Sequence, residues 1–278
     1  MDRKEKSEKR VAKSEISLFI LKLITMKKIV LVTGTTSGFG KAIALKFAEN
    51  GHKLIITGRR KDRLEELKKK LEEDYKTEVL ALCFDVRKSS EVEKAIQSLP
   101  EPWKAIDVLV NNAGLAAGMG PVHEGVLDDW ERMIDTNMKG LLYMTRFVAP
   151  LMVARKQGHI INIGSVAGKE VYPNGNVYCG SKFGVDAITK GTRIDLVSHN
   201  IKVTQVAPGA ANTEFSLVRF NGDQQRADNV YKGFKPLSAE DVAEVVYYTT
   251  TLPEHVNIND LVLMPTAQAS SMHFNKTS

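Results

Sequence analysis

The chain alternates apolar runs with amphipathic stretches from residue 27 onward. Residues 28–32 are almost wholly apolar, the pattern of a strand covered on both faces. Residues 38–50 carry apolar positions at helical spacing (Ile43, Phe47, Ala48) and stop at Gly51, a common helix terminator. The rhythm then repeats. Strands are predicted at 54–57, 79–84, 106–111, 159–164, 202–206 and 261–264. Helices are predicted at 62–75, 89–99, 177–199 and 238–251, with a long helical region over 126–156 that Gly140 and Pro150 should perturb. Such alternation predicts parallel strands joined by right-handed crossovers, with helices on both faces. We therefore expect an α/β fold: a single Rossmann-type, doubly wound parallel sheet of about seven strands.

Two stretches depart from this rhythm. Residues 209–236 are long, polar and rich in Asn, Gly and Asp, and they follow the sixth strand at the carboxyl end of the sheet. Doubly wound folds bind ligands there, so a lid is expected. Residues 1–25 precede the first strand and carry seven Lys/Arg against four acids, half of the chain's net charge of +6. Their apolar segment, 16–24, is too short for a membrane span of about 20 residues and is interrupted by Lys22. It also lacks the cleavage site of a secretory signal. A loosely ordered extension is expected, with Met26 as a plausible natural start and residues 26–278 as the domain; an amphipathic surface anchor is the alternative.

The length of 278 residues and the ordinary fractions of hydrophobic (43%) and charged (26%) residues suit one soluble domain. Beyond residue 25 no basic tract with interleaved aromatics occurs, so nucleic acid is not an expected partner. The two cysteines, Cys83 and Cys179, have no metal-ligand spacing and fit a reducing, cytoplasmic setting. No metal site is expected.

The chemistry begins after the first strand. Gly34-Thr35-Thr36-Ser37-Gly38-Phe39-Gly40 opens the first helix. Gly34 permits a tight turn, Gly38 and Gly40 let backbone approach a pyrophosphate, and the helix N-terminus attracts the anion. The second strand ends at Gly58-Arg59-Arg60, with no acid to hold both ribose hydroxyls. Two guanidinium groups there suit a 2′-phosphate, so NADP is the expected cofactor. A solvated pair of arginines at a helix start is the bland alternative.

The spacing G-x-x-x-G-x-G resembles that of the short-chain dehydrogenase/reductase family, and later motifs extend the resemblance to about Met264. It implies that Asp85 and Val86 contact the adenine and that Asn112, in Asn111-Asn112-Ala113-Gly114, lies beside the ribose. It likewise places Pro208 and Gly209 near the nicotinamide and Thr213 at the carboxamide.

Tyr178 and Lys182 stand four apart on a predicted helix and so share one face. An ammonium beside a phenol favours the phenolate, bringing a group with a pKa of about 10 toward use as a general acid or base. Ser165, ending the fifth strand, would hold the substrate oxygen. In the family pattern, the counterpart of Asn137 supports a water leading to the lysine. Singly, each residue has a structural explanation, but the ordered set Asn137, Ser165, Tyr178, Lys182 downstream of a phosphate loop does not.

Residues 112–116, 213–220 and 264–270 are similar to the subgroup of NADP-dependent 3-hydroxy acid dehydrogenases acting on serine or allo-threonine. Arg219 is the candidate carboxylate partner. Reduction of small aldehydes or ketones, including sulfonate-bearing ones, is the alternative within enzymes. A non-catalytic NADP-sensing protein is the alternative outside them. The family resemblance implies a homotetramer.

Overall fold

The structure, a computed structural model, describes residues 27–220 and 222–277. The expected extension, 1–25, lies outside the described residues. Seven parallel strands form one sheet in the order β3-β2-β1-β4-β5-β6-β7. They are β1 (Ile29–Val32), β2 (Lys53–Gly58), β3 (Val79–Cys83), β4 (Val108–Asn111), β5 (Gly158–Ile163), β6 (Ile201–Pro208) and β7 (Asp260–Leu263).

Side-chain alternation divides each strand between two cores. Val30 and Val32 of β1 face α1 (Gly38–Glu49), α2 (Lys61–Tyr75) and α9 (Ala239–Thr251), packing with Phe47, Leu67 and Val246. Ile29 and Leu31 face α3 (Ser89–Gln97) and α5 (Leu141–Arg155), packing with Ile96, Met144 and Met152. All four β1 residues are buried, which explains the continuous apolar run.

The strand order reverses between β1 and β4: β1 pairs with β2 on one side and with β4 on the other. The connections leaving the carboxyl ends of β1 and β4 run to opposite faces of the sheet, and the point between them is the ligand position of doubly wound sheets. The region expected as one helix over 126–156 has three parts: α4 (Leu127–Ile134), a π-helical segment (Asp135–Gly140) and α5. Gly140 lies at the irregularity, but Pro150 sits inside α5 without ending it. Expanded turns of this kind concentrate at functional sites, and this one contains Asn137.

The 21-residue α6 (Asn176–Leu196) carries Tyr178 and Lys182. Between β6 and α9 the expected loop holds two short helices, α7 (Glu214–Arg219) and α8 (Gln224–Asn229). Each begins with a side-chain cap, Thr213 accepting from Phe215 N and Asp223 from Arg226 N. Among the described residues no helix is long and apolar enough to cross a membrane.

Candidate active site

The phosphate loop is built by backbone constraint. Gly34 and Gly38 have φ of 69° and 51°, in the left-handed region that costs other residues most. A Cβ on Gly40 would come within 3.0 Å of both the Gly34 carbonyl oxygen and the Asn112 amide nitrogen. The loop is tied to its neighbours by Thr33 N donating to Val110 O (3.0 Å) and Thr35 N to Thr57 O (2.9 Å). Asn112 Nδ2 donates to Thr33 O at 2.8 Å. Among the described residues no side chain caps α1, so its first N–H groups are free to meet an anion.

One cleft joins this loop to the middle of the sheet. It is lined by Gly34, Thr36, Ser37, Gly38, Phe39, Arg59, Arg60, Asp85, Val86, Asn112, Tyr178, Lys182 and Thr213. Thirteen residues singled out from sequence thus share one surface. Gly40, Pro208 and Gly209 stand behind it: Gly40 against the Gly34 carbonyl, Gly209 against Met264 and Gln268. An open cradle of amides, a floor of β4 and arginines at one end together fit a dinucleotide carrying an extra phosphate.

Arg60 is fixed to the loop, its Nε and Nη2 donating to Thr36 Oγ1 at 3.0 and 2.8 Å and Nη2 to Ser37 Oγ at 2.9 Å. Arg59 lies 3.8 Å from Asp85. Arg87 also grips Asp85, donating from Nη2 at 2.6 Å. Burial pushes the Asp85 carboxyl up, but the Arg87 bonds prevail and hold it below the usual range.

At the other end, Lys182 is buried and its Nζ donates to Ile163 O at 3.0 Å. Burial lowers its pKa to about 8. The Tyr178 phenol is pushed well above its ordinary value, first by burial and then by Tyr172, while Ser165 and Arg219 pull it down. Burial thus favours the protonated phenol. At Tyr178 desolvation outweighs the favourable contacts with Ser165 and Arg219.

Ser165 ends β5 and caps a short turn, its Oγ accepting from Ala167 N at 3.1 Å. Asn137 Oδ1 accepts from Leu115 N (2.8 Å), while Nδ2 donates to Leu115 O (2.9 Å) and Ser181 Oγ (3.0 Å). It clamps the segment after β4 to α6. Seen from Gly114, Asn137 Oδ1 and Lys182 Nζ lie side by side, 3.2 and 3.6 Å from where a Cβ would stand.

Beyond Tyr178 lies a second chamber, which shares Tyr178 with the cleft and is also lined by Asp129, Trp130, Asn174, Arg219 and Arg226. Arg219 comes from the lid. Its guanidinium carbon lies 5.4 Å from the centre of the Tyr172 ring and 5.6 Å from that of Tyr178. Nη2 donates to Tyr172 Oη at 2.9 Å, and among the described residues the buried Nε has no partner.

Sequence reading missed Tyr172, Arg63 and Glu214. The first two sit in segments without a motif, and Glu214 directly follows a residue already singled out. Among the described residues, no group of three His, Cys, Asp or Glu is placed to hold a metal.

The fold agrees with the comparisons. Residues 28–222 match the model of the short chain dehydrogenase family, and the chain belongs to that family. It is 51% identical to the NADP-dependent 3-hydroxy acid dehydrogenase YdfG of Salmonella typhi over 242 residues, 87% of this chain and 96% of that protein. It is 49% identical to sulfoacetaldehyde reductase 2 of Chromohalobacter salexigens over 247 residues, 88% of this chain and 97% of that one. Among solved structures, the closed form of a serine dehydrogenase complexed with NADP+ superposes with a TM-score of 0.84 at 49% identity, covering 90% of this chain and 99% of that one.

Proposed function

We propose that this chain is an NADP-dependent oxidoreductase that interconverts a hydroxyl and a carbonyl on a small 3-hydroxy acid of the serine or allo-threonine type. The observation that carries this reading is the position of Tyr178, common to the dinucleotide cleft and to a chamber that holds Arg219. The relatives' names, NADP-dependent 3-hydroxy acid dehydrogenase and serine dehydrogenase, support it.

Gly34, Thr36, Ser37, Gly38 and Phe39 bind the pyrophosphate region, with Arg59 and Arg60 at the 2′-phosphate. Asp85, Val86, Asn112 and Thr213 contact the remainder, and Gly40, Pro208 and Gly209 shape it. When bound, the nicotinamide supplies or accepts the hydride. Ser165 orients the substrate oxygen. Tyr178, protonated in the resting site, gives its proton to that oxygen as the carbonyl is reduced and takes it back in the reverse direction. Lys182 keeps its ammonium below about pH 8 and favours the phenolate when the proton leaves. Asn137 keeps the segment after β4 against α6. Arg219 binds the carboxylate.

A sulfonate-bearing aldehyde is the second reading, favoured by the similarity to a sulfoacetaldehyde reductase and by the same free Arg219 Nε. We further propose residues 26–278 as the domain and a cytoplasmic homotetramer. Free Cys83 and Cys179 support the first setting, and exposed Phe183, Ile194 and Val197 around α6 support association.

Tyr178→Phe tests the mechanism. The variant should bind NADPH normally and lose about a thousandfold in kcat, within the range of general acid–base catalysis. Retained turnover in a folded variant rejects it. Comparable kcat/KM with NAD and NADP rejects the cofactor assignment. Tight NADP binding without turnover on serine, allo-threonine, short keto acids and sulfoacetaldehyde favours a sensor instead.

A further inference from the structure

The lid reaches the cofactor cleft through a contact that proton transfer does not need. Its helix α7 is six residues long, and the two ends face different partners. Arg219, the last residue, lies over Tyr178. Glu214, the first, reaches back across the cleft mouth to two arginines. Arg60 Nη1 donates to Glu214 Oε2 at 3.2 Å. Arg63 Nη1 donates to Oε1 at 2.9 Å and to Oε2 at 3.1 Å.

Arg60 is at the same time bound to Thr36 and Ser37 of the phosphate loop. A continuous chain of polar side chains therefore runs from the lid, over the cleft, to the loop below. Thr213 makes a second meeting point, its Cβ 3.4 Å from where a Cβ on Gly38 would stand. Arg60, Thr213 and Glu214 all line the cleft.

Two features separate the bridge from ordinary surface pairing. Arg63 does not line the cleft, and among the described residues its guanidinium hydrogen-bonds only to Glu214. Its pairing thus serves the lid rather than α2, which bears it. The local charge also leaves room for a phosphate: Arg59, Arg60 and Arg63 face Glu214 and Asp85, and Asp85 is gripped mainly by Arg87. A dianion arriving at Arg59 and Arg60 does not need Glu214 to depart.

We propose that Glu214 is a positioning residue, a strap that holds the lid shut over the bound cofactor with Arg60 and Arg63 as its catch. Removing it speeds cofactor release and loosens Arg219 beside Tyr178. This rests on reading the cleft as an NADP site.

The test is stopped-flow release of NADPH from the full-length wild type, Glu214→Gln, Arg63→Gln and the double variant, chased with excess NADP+. Glu214→Gln should release NADPH about fivefold faster, the scale of two partly exposed ion pairs, and Arg63→Gln about twofold faster, since it breaks one of them. Association should change less than twofold. The double variant should be no faster than Glu214→Gln alone. Unchanged release rates overturn the strap. So do slower release and tighter binding in Glu214→Gln, which would mean that the carboxylate competes with the phosphate. Additive effects overturn it as well. If the wild type fails to bind NADPH at all, the cofactor reading falls and the strap with it.

Discussion

The phosphate loop and the lid face each other across one cleft, and they are held by different means. The loop is fixed by backbone: positive-φ glycines, inter-strand hydrogen bonds and a helix packed too closely for any side chain at Gly40. The lid is fixed by side chains. Glu214 meets two arginines, Arg219 meets Tyr172, and Ser216 and Tyr231 bond at 2.6 Å, with Tyr231 donating in turn to Ala211 O at 2.6 Å. One backbone bond, Gly118 N to Arg219 O at 3.1 Å, joins the lid to the segment after β4. The exposed Glu214 pairs contribute roughly 0–1 kcal/mol each. The loop therefore sets where a dinucleotide lies, and the lid can open at small cost, as a segment over a binding site must.

Matched glycine substitutions would break or sharpen this contrast most strongly. Gly40→Ala forces α1 away from the Gly34 carbonyl, displacing the anion-binding amides. We expect kcat/KM for NADPH to fall about a hundredfold, the scale of an ångström-sized misplacement. Gly222 in the lid has φ of 91° but open space around it. Gly222→Ala should lower stability by about 1–2 kcal/mol, the strain of a left-handed residue, with kcat/KM changed far less. Steady-state assays and urea titrations read both. Equal losses of activity at the two positions would remove the distinction between loop and lid.

A smaller effect is expected at the substrate end of the lid. Arg219→Ala should raise KM for a carboxylate substrate about tenfold, the scale of a charge-assisted hydrogen bond. KM for a neutral short aldehyde and the Kd for NADPH should stay nearly constant. An unchanged carboxylate KM would take Arg219 out of substrate recognition and leave it a structural brace for Tyr172.

The same contrast governs how much was legible in the sequence. Where backbone geometry dictates residue type, the chain announced it. Gly34, Gly38 and the apolar runs of β1 and β4 carry their structural reasons in their own chemistry. Tyr178 and Lys182 were legible because helical periodicity alone puts them on one face. The lid's helices were not, because six-residue helices are too short for a periodic signal and rest on caps such as Thr213 and Asp223. Glu214 and Arg63 are 151 residues apart, and nothing local in either segment points to the other. The burial of Tyr178 was not legible either, since spacing reveals a neighbouring amine but not the depth at which the phenol sits. Pro150 misled for the opposite reason: its own conformational penalty is visible locally, whereas the packing of α5 that tolerates it is not.

Acid should act on the sheet before it acts on the lid. His159 of β5 is buried among the strands, with Nε2 bonded to Thr204 Oγ1 at 2.8 Å. Thr204 can donate onward to Asn257 Oδ1 at 3.3 Å, which assigns the ring proton to Nε2 and leaves the buried Nδ1 unpartnered. Burial, reinforced by Lys202 and Lys28, lowers the His159 pKa to about 3, against about 6.5 when unfolded. The unfolded chain therefore binds the extra proton first. This contribution to stability is complete above about pH 6.5 and is lost as the pH falls from there toward 3. Glu214 titrates lower than an ordinary carboxylate: burial opposes this, but Arg60 and Arg63 outweigh it, so the strap outlasts most of that range. At pH 5.5 the neutral ring should make unfolding easier by about 1 kcal/mol relative to pH 7. Urea midpoints of the wild type and His159→Asn across pH 5–7 measure it, and the variant should show the shallower decline. Parallel declines would place the acid sensitivity elsewhere, with half-buried His52, whose pKa burial lowers to about 4, as the next group to replace.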